Sequence, residues 1–309
     1  MPNTAQPTGP RTGAPRVGEP GAGEPVAVVG LGDLGLAIAS RLVALGTQTI
    51  GVDASEQRRA LWRERTGRDA LLDAGELAGL DVGSVFVCVR MTDQVAQVLS
   101  TLGGLPAAQR LVAYVVSTLE PSFARDLGAR ASGRMRTIEL PVSGGRGAAE
   151  RGELTVMVGG DQARPQEVAF LEATLARRVF TFAGYGEATV AKLVNNTLGA
   201  FNACAFARCI ALADAAGVDA ATCAELVRSS SGSSWMAENF GELLDELLMK
   251  DAGLLAAELG PLPVIDLAAG EELLAALAGA RRLIAAPARR GEQGPRPGAG
   301  TLTSAREKV

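Results

Sequence analysis

A glycine-rich turn set between two short apolar segments restricts the fold of this chain more than any other feature. The turn reads Gly30-Leu31-Gly32-Asp33-Leu34-Gly35 and directly follows the apolar run Val26-Ala27-Val28-Val29. A helical pattern continues from the turn to Leu45, and a second strand pattern, Thr49-Ile50-Gly51-Val52, ends at Asp53. Strand, GxGxxG turn, helix, strand and acid in this order are typical of the first βαβ unit of a doubly wound parallel sheet.

Each glycine of the turn has a separate physical role in such a unit. Gly30 allows the tight turn, Gly32 lets the backbone approach a pyrophosphate, and Gly35 permits close packing of helix on strand. The N-terminus of the helix then faces the phosphates. Asp53 lies 18 residues after Gly35, where its carboxylate can accept hydrogen bonds from the adenosine ribose and repel a 2′-phosphate. The turn therefore predicts a dinucleotide site, and Asp53 favours NAD as the cofactor.

Two arginines leave NADP open as an alternative cofactor. Arg58 and Arg59 follow Asp53 closely, and their guanidinium groups could bind a 2′-phosphate. The alternative interpretation places both arginines on a solvated helix face, where they bind no ligand.

Further apolar segments alternate with helical patterns, as a doubly wound sheet requires. They are Ser84–Val89, Val112–Val116, Thr137–Leu140, Leu154–Val158 and Val179–Phe182. Ligands of such sheets bind beyond the carboxyl ends of the strands. Val89, Arg90 and Thr118 are therefore expected beside the nicotinamide half of the cofactor, although ordinary turn residues also occupy such positions.

The chain contains no histidine, and this absence excludes several kinds of active site. Ser-His-Asp hydrolysis, histidine-dependent dehydrogenation and nearly all zinc catalysis need that side chain, so we predict no metal site. A net charge of -4 gives no electrostatic reason to expect nucleic acid or an anionic membrane as a partner.

Composition also bears on the termini and on the cellular location. Residues 1–24 and 287–309 are rich in Pro and Gly and are predicted to be disordered tails, without the apolar run of a signal peptide. No apolar run reaches the length of a membrane span without interruption by charge or glycine. The four cysteines form no CxxC pair and lie in apolar stretches, which favours reduced thiols in a cytoplasmic protein.

A lysine near the start of a long apolar helix is the strongest candidate for acid–base chemistry. The helix is predicted over Thr189–Ala216, and Lys192 and Asn196, four residues apart, share one of its faces. Burying an ammonium beside a carboxamide on a helix costs free energy unless a polar ligand or substrate forms hydrogen bonds with them. Of the 30 basic residues 27 are arginine, and proton transfer is a role that lysine performs and arginine cannot. The alternative is a lysine that extends from the helix start into solvent.

A small-residue turn follows another strand at Pro141-Val142-Ser143-Gly144-Gly145. The serine presents a hydroxyl, and the two glycines present unhindered backbone N–H groups. Such a nest suits a carboxylate, although the same residues also form simple turns.

Four segments, in this order, resemble the β-hydroxyacid dehydrogenase family, which includes 3-hydroxyisobutyrate dehydrogenase and tartronate semialdehyde reductase. They are Gly30–Gly35, then Glu139–Gly145 with Gly152–Gly160, then Lys192–Asn196, and finally Lys250-Asp251. The resemblance implies a Rossmann domain over residues 25–186 and an all-helical substrate and dimerisation domain over residues 187–286, joined by one long helix. A small domain of Ala-rich helices often buries its exposed face against a partner, so we expect a homodimer or a larger homo-oligomer.

The resemblance implies a role for each matching residue in hydride transfer between the nicotinamide and a small 3-hydroxy acid. Ser143, Gly144 and Gly145 would hold the substrate carboxylate, Lys192 would be the acid/base, and Asn196 would orient both. Thr118 would lie near the nicotinamide ribose, and Lys250 near the substrate and the nicotinamide. We expect the helix N-terminus and Lys250 to lower the pKa of Lys192. Only Tyr114 and Tyr185 compete with Lys192 for the proton-transfer role.

Departures from the family pattern concern the pocket and the helical domain. Glu139-Leu140 replaces the usual Asp-Ala and is expected to alter the pocket wall. The segment between Trp235 and Lys250 is about ten residues short, which puts the role of Lys250 and the usual subunit contacts in doubt. Trp235 is a candidate for the substrate pocket or a subunit interface, with core packing as the favoured alternative.

Two other functions stay open. One is an imine reductase, which shares the architecture but reduces C=N and generally lacks the lysine found at position 192. The other is a non-catalytic dinucleotide-binding protein, for which the contracted helical region is the main argument.

Overall fold

One mixed sheet forms the centre of the fold in the computed structural model, which describes residues 24–106, 108–130, 135–160, 163–242 and 245–262. The strands are β1 Val26–Val29, β2 Thr49–Val52, β3 Ser84–Val87, β4 Val112–Val115, β5 Arg136–Glu139, β6 Val142–Ser143, β7 Leu154–Gly159 and β8 Ala176–Phe182. Their order is β2-β1-β3-β4-β5-β7-β6, and β8 pairs with β7. The predicted tails lie outside the described residues, apart from Glu24. The Ala/Leu-rich segment Leu267–Ile284, with acids near its start and arginines near its end, predicts a further helix, which also lies outside them.

The helices cover both faces of the sheet and then continue beyond it. They are α1 Asp33–Ala44, α2 Glu56–Thr66, α3 Thr92–Gly103, α4 Pro121–Arg125, α5 Leu127–Arg130, α6 Gly145–Arg151, α7 Pro165–Thr174, α8 Glu187–Ala215, α9 Ala220–Arg228, α10 Trp235–Glu238 and α11 Asp245–Leu259. Short 3₁₀ segments occur at Ala74–Leu77, Ala108–Arg110 and Phe240–Glu242.

The first five strands run parallel because each connects to the next through a crossover. β1, β3 and β4 are buried along their whole length, as their continuous apolar sequences predict. The predicted doubly wound sheet is confirmed in this part. β7 runs antiparallel to β5 and to the two-residue β6, which the apolar pattern did not reveal because two residues carry no period.

Two apolar clusters, one on each side of the sheet, hold the helices in place. On one side Trp62 of α2 packs with Leu42 of α1 and Phe86 of β3. On the other side Leu102 of α3 packs with Leu127 of α5. These buried side chains fix the ends of β1, β3 and β4 against one another, at the edge where the strand order reverses.

The last four helices form a second layer that is centred on α8. α9, α10 and α11 all pack against this 29-residue helix. Asp219 directly precedes α9, where an aspartate is expected to cap the helix, and its Oδ1 does accept a hydrogen bond of 2.8 Å from Thr222 N. The amphipathic pattern of residues 238–248 predicts a helix over that range, but these bounds are wrong, because α11 begins at Asp245 and continues to Leu259. The described residues, which end at Leu262, belong to one compact unit.

Length and composition alone would let α8 cross a membrane, with a mean hydropathy of 1.3 in its most apolar window. The segment is interrupted by Lys192, Gly199 and Arg208, in agreement with the prediction that every apolar run of this length contains a charge or a glycine. In the described residues α8 packs against β7, β8 and the four helices α4, α9, α10 and α11, and 17% of that apolar window is buried.

Candidate active site

The glycine-rich turn leaves β1 and enters α1 without room for side chains. Gly30 has φ +94°, and a Cβ added to it would lie 2.6 Å from the carbonyl oxygen of Cys88. A Cβ on Gly35 would overlap the carbonyl oxygen of Gly30. Gly32 precedes the first turn of α1, whose N–H groups receive no side-chain cap from it. The turn is therefore a cradle of backbone N–H groups that fits the pyrophosphate of a dinucleotide.

Asp53 lies at the end of β2, beside this cradle. Its Oδ2 accepts a hydrogen bond from Leu31 N at 2.7 Å, and its Oδ1 accepts one from Ser55 N at 2.8 Å. The carboxylate thus ties the glycine-rich turn to the end of β2, a contact that we did not predict. Each oxygen retains a lone pair for a ribose hydroxyl, as we expected from the sequence.

The loops after β3 and β4 meet at the same edge of the sheet. The Ser117 hydroxyl donates to Val89 O at 2.6 Å, which joins the two loops. Val89 and Thr118 are half-buried there, and Arg90 is exposed. The structure therefore brings these three predicted residues together at the carboxyl edge, next to the cradle.

Lys192 lies on α8, the central helix of the second layer, and its side chain is buried, with only 8% of the residue exposed. Its Nζ makes no hydrogen bond or ion pair within the described part of the chain. Burial lowers the pKa of Lys192 to about 8, and the charge of Asp251 opposes part of that change. The predicted direction of the pKa change is confirmed, but its cause is burial rather than the helix N-terminus and Lys250.

Asp251 is a site residue whose role the sequence did not reveal. It is 5% exposed on α11, and its Oδ2 accepts a hydrogen bond of 2.6 Å from Asn196 Nδ2. Lys192 and Asn196 share one face of α8, as predicted, and Asp251 approaches that face. The dipeptide Lys250-Asp251 was the only signal in the sequence, and its helix position became clear only from the packing of α11 on α8.

Lys250 lies at the cofactor side of α11 despite the short segment before it. Its Nζ donates to Arg90 O at 3.4 Å, and Arg90 Nη2 pairs with Glu246 Oε2 at 3.1 Å. These contacts connect α11 to the loop after β3. The contraction between Trp235 and Lys250 therefore leaves Lys250 beside the predicted nicotinamide side of the site.

Glu139 caps α8, the helix that carries Lys192, and does not line a pocket as we expected. It is 1% exposed at the end of β5 and accepts hydrogen bonds from Gly186 N at 2.7 Å and Thr189 N at 2.5 Å. Burial raises the pKa of Glu139, while these N–H groups act in the opposite direction. The carboxylate fixes the start of α8 against the sheet, and thereby the position of Lys192.

Ser143 lines a cavity of about 260 Å³ between the sheet and α8. Its other lining residues are Thr155, Met157, Phe180, Phe182, Ala191 and Asn195. Gly144 and Gly145 follow with φ +122° and +66°, which side chains rarely allow. From α8 the cavity is lined by Ala191 and Asn195, the residues directly before Lys192 and Asn196, and Asn195 Nδ2 donates to Asn196 Oδ1 at 3.1 Å.

Three aromatic side chains that the sequence suggested for the site lie elsewhere or are engaged. Tyr114 is fully buried and stacks on Phe86 with ring centroids 4.8 Å apart. The Tyr185 hydroxyl donates to Thr137 O at 2.7 Å. Trp235 is 57% exposed, so core packing, our favoured alternative, is wrong for it. Tyr114 is therefore enclosed in the core, and the Tyr185 hydroxyl is engaged with the backbone of β5.

Comparison with known proteins decides the family. A family model described as the NAD binding domain of 6-phosphogluconate dehydrogenase matches residues 25–184, more than half of the chain. A second model, NAD-binding of NADP-dependent 3-hydroxyisobutyrate dehydrogenase, matches residues 186–277. The chain belongs to the β-hydroxyacid dehydrogenase family. The resemblance that we drew from four sequence segments is confirmed.

Relatives of this β-hydroxyacid dehydrogenase include proteins of known activity. It is 29% identical over 245 residues to L-threonate dehydrogenase of Escherichia coli (strain K12). That match covers 74% of this chain and 80% of the relative. A solved structure of 3-hydroxyisobutyrate dehydrogenase from Salmonella typhimurium matches with a TM-score of 0.68 and 27% identity, over 84% of this chain and 95% of that one. The chain is an NAD(P)-dependent dehydrogenase, and NAD or NADP is its cofactor, as predicted.

The same fold also occurs in imine reductases. A solved imine reductase from Aspergillus terreus matches with a TM-score of 0.57 and 18% identity, over 86% of this chain and 88% of that one. At this identity the match shows the fold alone. The choice between C=O and C=N chemistry therefore depends on the side chains of the site.

Proposed function

We propose that this β-hydroxyacid dehydrogenase transfers a hydride between the nicotinamide and a small 3-hydroxy monocarboxylate or its semialdehyde or keto form. The observation that carries the proposal is the buried amine of Lys192, which has no hydrogen-bond partner among the described residues and a pKa lowered to about 8. A buried polar group without a partner is costly, and a substrate hydroxyl would satisfy it. When bound, the nicotinamide supplies or accepts the hydride.

Lys192 would act as the general base in oxidation and as the general acid in reduction. As base, its neutral amine takes the proton of the substrate hydroxyl while the hydride leaves the same carbon. As acid, its ammonium returns a proton to the carbonyl oxygen. A pKa near 8 gives appreciable amounts of both forms at neutral to mildly alkaline pH, which suits a reversible reaction.

The neighbouring residues would position the substrate around this amine. Asn196, held by Asp251, would orient the substrate hydroxyl and the lysine. Ser143, Gly144 and Gly145 would bind the carboxylate through the serine hydroxyl and backbone N–H groups. Trp235 stays a prediction as a pocket residue, because its ring is exposed in the single chain.

The two alternative functions have less support. An imine reductase generally lacks a lysine where this chain has Lys192, and here that lysine is buried near the charge of Asp251. A non-catalytic dinucleotide-binding protein was suggested by the short segment before α11. After that short segment Asp251 still contacts Asn196 and Lys250 still contacts Arg90 O, which weakens the argument from the contraction.

A substrate panel tests the proposal directly. Small 3-hydroxy acids, including L-threonate and 3-hydroxyisobutyrate, are offered with NAD and NADP, and semialdehydes, keto acids and cyclic imines with NADH and NADPH. Turnover of at least one hydroxy acid or its oxidised form supports the proposal. Cofactor binding with turnover of imines alone, or with no turnover at all, would contradict it.

We predict that Asp251→Asn moves the pH–rate profile to lower pH. Oxidation needs the neutral amine, so its rate should rise as pH passes about 8 in the parent protein. The charge of Asp251 raises the pKa of Lys192, so its removal lowers that pKa and shifts the rise toward lower pH. For reduction, which needs the ammonium, the fall at high pH shifts the same way. The measurement is initial rate against pH in both directions.

Glu246→Gln is the matched control for this shift. Glu246 lies on the same helix but is exposed and pairs with Arg90 rather than with the lysine. Its replacement removes the same charge and should leave the profile in place. An unchanged profile in Asp251→Asn would show that this carboxylate does not act on the ionisation that limits the rate.

We propose a homodimer or larger homo-oligomer, in which the exposed face of α8 is covered by a second copy. Leu212 on α8 is 70% exposed, and Leu198 and Val194 on the same helix are also exposed. Leu212→Glu should reduce the mass in solution to that of one chain, measured by light scattering after gel filtration. Leu45→Glu, at an exposed leucine at the end of α1, is the control. A monomeric parent protein would refute the proposal.

The cytoplasmic location stays a prediction. All four cysteines are unpaired, which agrees with that location.

A further inference from the structure

The cavity between the sheet and α8 begins where the packing of the helix on the sheet changes. The first turn of α8 lies tightly on β7, since a Cβ added to Gly159 would be 3.0 Å from Cβ of Ala188. Three residues later, Ala191 lines the cavity of about 260 Å³. Because alanine has a single side-chain carbon, this position leaves room that a larger residue would fill.

The strand side of the cavity is mainly an apolar wall. Met157 of β7 and Phe180 of β8 are register partners, and Phe182 lies two residues further along on the same face of β8. The seven described residues that line the cavity include no charged side chain. Phe180 is 47% exposed although it lines the cavity, so its ring still has apolar surface that a ligand could cover. Such a wall favours an apolar group.

Polar side chains occupy one end of this wall. They are Ser143, Thr155 and Asn195. Ser143 and Thr155 are register partners of β6 and β7, so their side chains are neighbours. The apolar wall continues from Thr155 along β7 toward Gly159, the register partner of Phe182. The cavity therefore fits a ligand with a polar group at one end and an apolar group at the other.

We propose that the cavity binds an apolar substituent of the substrate, larger than a methyl group, on the carbon next to the carboxylate. This inference rests on the proposed function, in which Ser143 holds the substrate carboxylate. Since Ser143 lines the cavity, a substituent on the adjacent carbon is the part of the substrate that would enter it. The volume of about 260 Å³ approaches the roughly 300 Å³ at which ligand pockets begin, and so exceeds the needs of a methyl group.

The test compares 3-hydroxypropanoates that bear hydrogen, methyl, ethyl, propyl or butyl on carbon 2, assayed with the full chain and NAD or NADP. Each buried methylene should raise kcat/KM about fourfold until the cavity is filled. The change should appear mainly as a lower KM, because the substituent does not take part in the reaction. Phe180→Asp places a charge in the apolar wall and should remove this dependence on chain length.

Thr181→Asp is the matched control for the added charge. Thr181 is exposed and follows Phe180 directly, so its side chain points to the other face of β8. This variant should keep the dependence on chain length that the parent protein shows. The same dependence in Phe180→Asp and Thr181→Asp, or a constant kcat/KM along the series in the parent protein, would overturn the proposal.

Unreactive analogues separate this inference from the proposed function. Propanoates with the same substituents but without the hydroxyl are titrated by calorimetry into the full chain saturated with NADH. Their dissociation constants should fall about fourfold per methylene in the parent protein and stay constant in Phe180→Asp. Absence of turnover with every hydroxy acid would contradict the proposed function alone. Dissociation constants that do not depend on the substituent would contradict the cavity inference, with or without turnover.

Discussion

Replacing Lys192 by alanine should lower turnover at least about a hundredfold, the scale of general acid–base catalysis, while cofactor binding is retained. The amine is buried, has a pKa lowered to about 8, and has no described partner that could take over the proton. The described residues of the cofactor cradle lie on α1 and at the strand ends, so the substitution leaves them in place. The measurement is the turnover of the best substrate of the panel, beside the dissociation constant of NADH.

Lys192→Arg separates proton transfer from positive charge. Arginine keeps the charge but does not release its proton at accessible pH, so its turnover should fall by a similar factor. Lys250→Ala is a second comparison, because this residue contacts Arg90 O rather than the Lys192 face of α8. It should weaken cofactor binding more than it slows proton transfer. Turnover of Lys192→Ala within about tenfold of the parent would refute Lys192 as the general acid/base.

Replacing Gly35 by alanine should destabilise the protein by about 3 kcal/mol or more, toward the upper end of what overpacking costs, and abolish cofactor binding. The added Cβ would overlap the carbonyl oxygen of Gly30 and approach Cys88 Cβ at 3.0 Å. A backbone oxygen cannot rotate away as a side chain can, so α1 must move off β1. Because the first turn of α1 forms the cradle, the same displacement removes the phosphate site. Urea unfolding gives the free-energy change.

Gly103→Ala provides the control for this substitution. Gly103 ends α3, and nothing lies within 4 Å of the Cβ that alanine would add. Its replacement should change the free energy of unfolding by less than about 1 kcal/mol, in the stabilising direction. A Gly35→Ala protein with parent-like stability and NADH affinity would show that the cradle tolerates a wider separation of α1 and β1.

Local sequence determined the first βαβ unit of this protein. The strand, turn, helix, strand and Asp53 follow one another within 28 residues, and each is specified by its own period or by glycine at a crowded position. The α8 helix was predictable for the same reason, since its apolar pattern extends over many turns. Lys192 was identified by residue type, because arginine fills nearly every other basic position.

Only the tertiary structure decided what surrounds Lys192. Asp251 is 55 residues from Asn196, Glu139 is 47 residues from Gly186, and Lys250 is 160 residues from Arg90. No period in the sequence links such positions, because they meet only when α11 packs on α8 and α8 packs on the sheet. The pKa of the lysine depends on burial by these distant segments, so its value belongs to the folded chain. The sequence identified the amine as a candidate, and only its burial in the folded chain lowers its pKa to about 8.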